Sequence, residues 1–155
     1  VTKLVLGVID LPYADASYAE VRARKPKVKP GGSLSTGDVA QILEDRYAVM
    51  QAFYDLHGEQ IANELIDAIE GAIESVNMGA PLTIDPVGSA TSKIEDMFKQ
   101  MLANKELDGR LGVPTLAAQE GHSKRFKQPY KKRAPRPSFI DTGLYQASFK
   151  AWLED

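Results

Sequence analysis

With 155 residues, 43% of them apolar and 26% charged, the chain has the makeup of one globular domain with a core of ordinary size. A formal net charge of −2 gives no overall pull toward nucleic acid or an anionic membrane. The lack of cysteine rules out disulfides and thiolate metal sites, and fits a reducing compartment.

The opening run, Val1-Thr-Lys-Leu-Val-Leu-Gly-Val-Ile-Asp10, is too short for a signal peptide or a membrane span. Removal of an initiator Met accounts for a Val start, and a protein made and used in a cytoplasm is expected. Lys3 to Asp10 is β-rich and nearly continuous in apolar residues, as in a strand buried on both faces or paired into a sheet. Leu11-Pro12-Tyr13 ends it. Residues 14 to 37 hold Lys25-Pro26, Lys29-Pro30 and Gly31-Gly32-Ser33 without sustained periodicity. They read as an extended arm, either mobile or ordered by a partner.

A long helix comes next. Ser35 or Thr36 can cap it, and Asp38 places negative charge in its first turn. Apolar, aromatic or histidine side chains then recur from Val39 through Leu43, Tyr47, Met50, Tyr54, His57, Ile61, Leu65, Ile69 and Ile73 to Val76. That is 37 residues in 10 steps, close to the helical repeat. Ile42, Val49, Phe53, Leu56 and Ile66 widen the stripe. Gly58 can divide the segment, but the phase crosses it unchanged, and an interior glycine costs only about 1 kcal/mol. The expectation is one helix of about 40 residues, ~60 Å long, or two nearly collinear halves. Such a length exceeds what a small core requires and suits a spoke along an oligomer interface.

Asn77-Met78-Gly79-Ala80-Pro81 stops this helix. Leu82 to Val87 reads as extended or irregular around Pro86. Ser92 with Glu95 forms a capping-box pattern for a second helix, whose apolar face is Ile94, Met97, Phe98, Met101 and Leu102, ending between Asn104 and Gly109. A short helix from Pro114 to Glu120 is expected next. The basic loop, residues 122 to 137, precedes a terminal segment in which Asp141-Thr142-Gly143 separates two apolar runs. That segment holds the only Trp, and so much apolar surface must dock on this chain's core or on a neighbouring subunit. The predicted fold is a single α+β domain over 1–155: a long helix and shorter helices packed on a small sheet, with the arm and loop outside it. The sheet contains the N-terminal strand and part of residues 139 to 153.

Charge is segregated along the chain. From Asp38 to Asn77 the acids are Asp38, Glu44, Asp45, Asp55, Glu59, Glu64, Asp67, Glu70 and Glu74, against one base, Arg46. Two segments are purely basic: Arg22, Arg24, Lys25, Lys27 and Lys29, then Lys124, Arg125, Lys127, Lys131, Lys132, Arg133 and Arg136. This suits identical subunits packed head to side, a basic arm on a neighbour's acidic face. A solvated helix face with two solvated loops gives the same pattern. In the loop, Phe126 and Tyr130 interleave with cations, a mixture that grips phosphates and stacks bases, lines a DNA channel, or docks on acidic protein. The flanking prolines disfavour a recognition helix in a major groove.

Signs of catalysis are weak. His57 and His122 lack metal-ligand spacing, and His57 reads as a partly buried, hydrogen-bonded core residue. The glycines form no dinucleotide or Walker pattern, and no Gly-x-Ser-x-Gly turn occurs. No enzyme activity, metal or cofactor is expected.

Arg136-Pro-Ser-Phe-Ile-Asp-Thr-Gly-Leu-Tyr-Gln-Ala-Ser-Phe149 resembles the Leu/Ile-x-Thr-Gly-x-Leu-x-x-Ser type of motif in tail-completion and head–tail joining proteins of tailed bacteriophages. Ile140, Thr142, Gly143 and Ser148 stand in the family pattern. Tyr145 occupies the place where Leu is usual, and Leu144 lies one place early. Asp141 or Thr142 can cap a short helical turn, Gly143 permits close approach, and Phe149 and Trp152 anchor the residues after that turn. The wider order, an acidic long helix, a second helix and a basic loop before Thr-Gly, is also similar to phage neck proteins. The resemblance implies a virion ring of six or twelve copies between capsid portal and tail, assembled in the host cytoplasm, without enzyme activity, guiding DNA passage. Its implied partners are copies of itself and portal, adaptor or tail-terminator proteins, with nonspecific DNA contact in the channel and no membrane. The arm and the basic loop would carry the contacts between subunits or neck partners.

Overall fold

The first apolar run of the sequence finds its partner at the other end of the chain. The computed structural model describes residues 2–12, 35–81, 85–121, 134–140 and 143–154. In it, β1 (Lys3–Val8) pairs antiparallel with β2 (Phe149–Glu154), from Lys3↔Glu154 to Val8↔Phe149. Between them come α1 (Thr36–Tyr47), α2 (Val49–Asn77), α3 (Gly88–Ala103), α4 (Leu116–Gln119) and α5 (Leu144–Ser148), an α+β architecture. The Ile9 N–H extends the ladder to the Ser148 carbonyl at 2.8 Å. Two strands alone are marginal in water, so this ribbon depends on the helices beneath it.

Phe149 and Ala151 turn inward and are buried, while Trp152 lies on the outer face across Gly7. A Cβ on Gly7 would come within 2.8 Å of the Trp152 ring, so glycine is what lets the ring lie down there. Beneath the ribbon, Phe98 stacks on Phe149 with centroids 3.9 Å apart. Phe53 meets both rings edge-on at 5.3 and 5.8 Å, and Tyr145 meets Phe98 at 6.0 Å. This aromatic knot ties α2, α3, α5 and β2 together.

The start of α1 is fixed twice over. Ser35 and Asp38 form a reciprocal capping box, with hydrogen bonds of 3.2 and 2.9 Å. Thr36 and Gly37, expected in the arm, are instead the first turn of the helix. The Thr36 hydroxyl donates to the Ile9 carbonyl and accepts from the Leu11 N–H, locking the end of β1 to the helix start.

Asp10 joins the same corner by accepting from the Gly37 N–H at 2.9 Å. A hydrogen bond from Ser35, then the Gly37 N–H, holds its carboxyl below the ordinary carboxylate range. Because the folded value is depressed, this tie is at full strength above the usual carboxylate range and fades as pH falls through the folded value. A carboxyl-carbon NMR titration should therefore place the Asp10 midpoint below that of an exposed aspartate. A midpoint equal to or above it would contradict the corner as described.

The long apolar segment is two helices, and the break lies at Ala48, not at Gly58, which sits inside α2. Ala48 adopts the left-handed conformation, φ 47° and ψ 53°. No side chain of Ala48 can cap α2, yet the helix start is served from behind: the Glu44 carboxylate accepts from the Met50 N–H at 2.7 Å and the Gln51 N–H at 3.2 Å. A carboxylate at a helix N-terminus also suits the dipole. Left-handed alanine costs roughly 1–2 kcal/mol, most of which glycine avoids. Ala48→Gly should therefore raise stability by about 0.5–1 kcal/mol, seen as a higher urea midpoint at unchanged slope. A lower midpoint would mean that the corner is not where the strain lies.

The second helix also begins earlier than its Ser92–Glu95 pattern suggests. α3 starts at Gly88 without a side-chain cap. Ser92 donates back to the Gly88 carbonyl, and Glu95 faces β2, where it pairs with Lys150 at 2.8 Å and accepts from the Ala151 N–H at 3.4 Å. Glu95 thus covers an edge group of the ribbon, a more demanding use of a carboxylate than a cap. The expected short helix near Pro114 is α4, capped by Thr115, whose hydroxyl accepts from the Ala118 N–H.

Candidate assembly surface

α2 is longer than the body it packs on. Its buried residues are Val49, Ala52, Phe53 and Ile61. α3 runs back along it, and the match is read from Phe53 against Phe98, His57 against Glu106 at 2.8 Å, and Glu64 against Lys93 at 2.6 Å. Beyond Ile61 only one side of α2 is covered. Ile66, Ile69, Ile73 and Val76 are 50, 48, 56 and 45% exposed, and Met78 after the helix end is 76% exposed. From Ile66 to Val76 this stripe runs ~15 Å.

The broad stripe expected from the sequence is therefore split. Val49 and Phe53, on its margin, form the core, whereas Tyr54, Leu56, Ile69, Ile73 and Val76 face out. The turn at Ala48 re-aims α2, so the phase of α1 does not carry into it. Four half-exposed aliphatic side chains in a row forgo roughly 1 kcal/mol each of available burial, and contiguous patches of this kind mark contact surfaces.

Electrostatics give the stripe a direction. At 100° per residue, Glu59, Glu70 and Glu74 fall together on one flank. No cation among the described residues lies within ion-pair distance of these three. Lys93, exposed on α3, is taken up by Glu64 further round the helix, where the hydrogen bond and charge of Glu64, then the charge of Asp67, raise its pKa. From Tyr47 through Ser92 the sequence contains no Lys or Arg at all.

A groove of about 360 Å³ lies beside the stripe, lined by Ile69, Ala72, Ile73, Val76, Asn77 and Pro86. It offers apolar walls and one amide, without the convergent polar groups that orient a small ligand. Among the described residues, no three His, Asp or Glu side chains gather as metal ligands, and no helix is long and apolar enough to cross a membrane. His57 is half-buried between Gln60 and Glu106, both at 2.8 Å, with Phe53 at 5.4 Å. That is the hydrogen-bonded core role expected of it.

The residues singled out in the sequence divide sharply. Arg22, Arg24, Lys25, Lys27 and Lys29 of the arm, and Lys124, Arg125, Lys127, Lys131, Lys132 and Arg133 of the loop, lie outside the described residues, as does Thr142. Arg136 is described and half-buried: its backbone N–H donates to the Ala118 carbonyl at 3.0 Å and its guanidinium to the Ile140 carbonyl. The terminal motif is mainly a device of the core. Gly143 has φ 79°, a value that favours glycine, and its carbonyl accepts the Ala147 N–H at 3.0 Å to open α5. Tyr145 and Phe149 enter the aromatic knot, Ser148 donates to the Tyr145 carbonyl at 2.8 Å, and Ile140 packs against the core edge. Trp152 alone keeps a large exposed face.

Comparison with protein-family models, curated proteins and solved structures finds no match.

Proposed function

We propose that this chain is a structural subunit of a tailed-bacteriophage neck, forming a homo-oligomeric ring that joins the capsid portal to the tail and surrounds part of the DNA passage. The observation that carries the assembly reading is the half-exposed aliphatic stripe on α2, with an acidic flank that no cation among the described residues pairs. Such a stripe, beside a groove with apolar walls, fits contact with another protein. The neck assignment rests on the resemblance of Ile140 to Ser148 to the Thr-Gly motif of head–tail joining proteins. The reading places the chain in the virion after assembly in the host cytoplasm, with no cofactor and no catalytic residue. Its partners are copies of itself and the portal, adaptor or tail-terminator proteins. Electron microscopy of an intact particle with the chain labelled tests this: density at the portal–tail junction is expected, and label confined to capsid shell or tail tip would overturn it.

A second reading has its own observation, the seven cations from Lys124 to Arg136 interleaved with Phe126 and Tyr130. A nonspecific nucleic-acid-binding protein using them would release about one counterion per phosphate contacted. For that reading, log K against log salt should fall with a slope near about −6 for duplex DNA. The neck reading with these cations docked on a neighbouring subunit expects weak duplex binding with a slope shallower than about −3.

A further inference from the structure

We infer that the outer half of α2 seats a second copy of this chain in a head-to-side contact, with the neighbour supplying cations from residues 124–133. The inference rests on the ring-subunit reading and specifies which surface makes the contact and with what polarity.

Three observations converge on it. First, the apolar part of the face runs from Ile66 to Val76, with a groove beside it that Pro86 helps to line. An occupant must therefore bring apolar groups, and Phe126 and Tyr130 lie within the basic segment. Second, Glu59, Glu70 and Glu74 line one flank with no cation near them among the described residues. An antiparallel two-fold pairing of this face with itself would set those carboxylates against their own copies. A parallel pairing would set them against the neighbour's other flank, where α2 itself offers no base, since none occurs between Arg46 and Lys93. Self-pairing of like flanks is costly, so the occupant must be a different surface carrying positive charge. Third, the sequence contains a segment of that charge. Residues 124–133 hold six cations and no acid, while the whole chain is nearly balanced at 19 bases and 21 acids. Charges so nearly equal in number, yet separated into blocks, are neutralised when the basic block of one copy covers the acidic face of the next.

The polarity has a structural consequence. A contact between two different surfaces of identical subunits does not close as a dimer; it propagates, and closes only as a ring. The interface proposed here is therefore of the kind that a ring needs. Its charged rim should make association fall with salt, while its apolar centre sets how long a contact lasts.

The absence of native cysteine makes the test direct. Glu70→Cys and Lys131→Cys are purified separately, mixed, and treated with a short thiol-reactive cross-linker. The expected product is a covalent pair containing one chain of each kind, formed in the mixture and in neither variant alone. Homodimers of Glu70→Cys would show the face pairing with itself, and a double variant that closes only within one chain would show it covered by its own segment. Either result overturns the inference, as does the absence of any cross-link in assembled rings. A second measurement uses Ile69→Ala with Ile73→Ala, half-exposed positions where alanine keeps the helix, with the monomer's unfolding midpoint measured alongside. Association should weaken by at least about tenfold. Rings that form as strongly with this double change as without it sink the docking surface while leaving the ring reading in place. A wild-type chain that never associates removes the ring reading itself.

Discussion

Phe149→Ala should destabilise the domain by about 3–5 kcal/mol, lowering the melting temperature by roughly 6–20 °C. Phe149 is fully buried and stands where β2 meets the aromatic knot, stacked on Phe98 and edge-on to Phe53. Truncation removes the ring's transfer free energy and leaves a cavity between α2, α3 and the ribbon. The ribbon has only two strands, so losing its main inward anchor also weakens the pairing of Lys3–Val8 with the terminus. Trp152→Ala is the informative contrast: its ring covers Gly7 from outside and is 42% exposed, so a cost of about 1–2 kcal/mol is expected. Guanidinium unfolding of the three proteins measures the difference. Equal costs at the two positions would mean that the terminal strand is held by its outer face, contrary to the packing described.

Thr36→Val should cost about 2–4 kcal/mol although it changes shape hardly at all. The Thr36 hydroxyl is fully buried and does two jobs, donating to Ile9 O at 2.6 Å and accepting from Leu11 N–H at 2.7 Å. Valine leaves that carbonyl and that N–H facing a methyl group at the point where β1 passes to α1. Thr36→Ser keeps the hydroxyl and should retain most of the stability, losing about 1 kcal/mol for the methyl. The Asp10–Gly37 contact lies in the same corner, so the Thr36→Val protein should also show a less depressed Asp10 titration. A valine variant as stable as wild type would show that the corner is solvated and not the joint it is taken to be.

These residues also mark how far the sequence could be read. The N-terminal strand, the capped start near Ser35 and the apolar face of α3 were legible, because β-rich composition, capping chemistry and helical spacing are local properties. The break at Ala48 was not. Alanine in a left-handed conformation leaves no compositional trace, and the helix beyond it is capped by Glu44 from the preceding helix, a contact no local pattern encodes. Gly58 carried the visible signal and plays no such part. Ser92 and Glu95 misled for the opposite reason: a correct local pattern was outcompeted by the ribbon edge, which claims Glu95 through Lys150 and Ala151.

The surface was half legible. Periodicity showed that the helix carried more apolar residues than a small core could use, and length alone suggested a spoke. Which side chains remained outside was decided only by the turn at Ala48 and by where α3 stops covering α2. The terminal motif reads differently once folded. Its conformational demands, positive φ at Gly143 and burial of Tyr145 and Phe149, are those of the domain's own core. Trp152 is the motif region's remaining candidate for contact with a neighbour.

Association of identical chains is the central claim. The mass of the purified protein in solution at moderate salt, with negative-stain images of the same sample, reads this without any assumption about partners. A closed species at a fixed multiple of 17.0 kDa, ring-shaped in projection and loosened by salt, is the outcome that claim requires. A lone 17.0 kDa particle at every concentration and salt would contradict it.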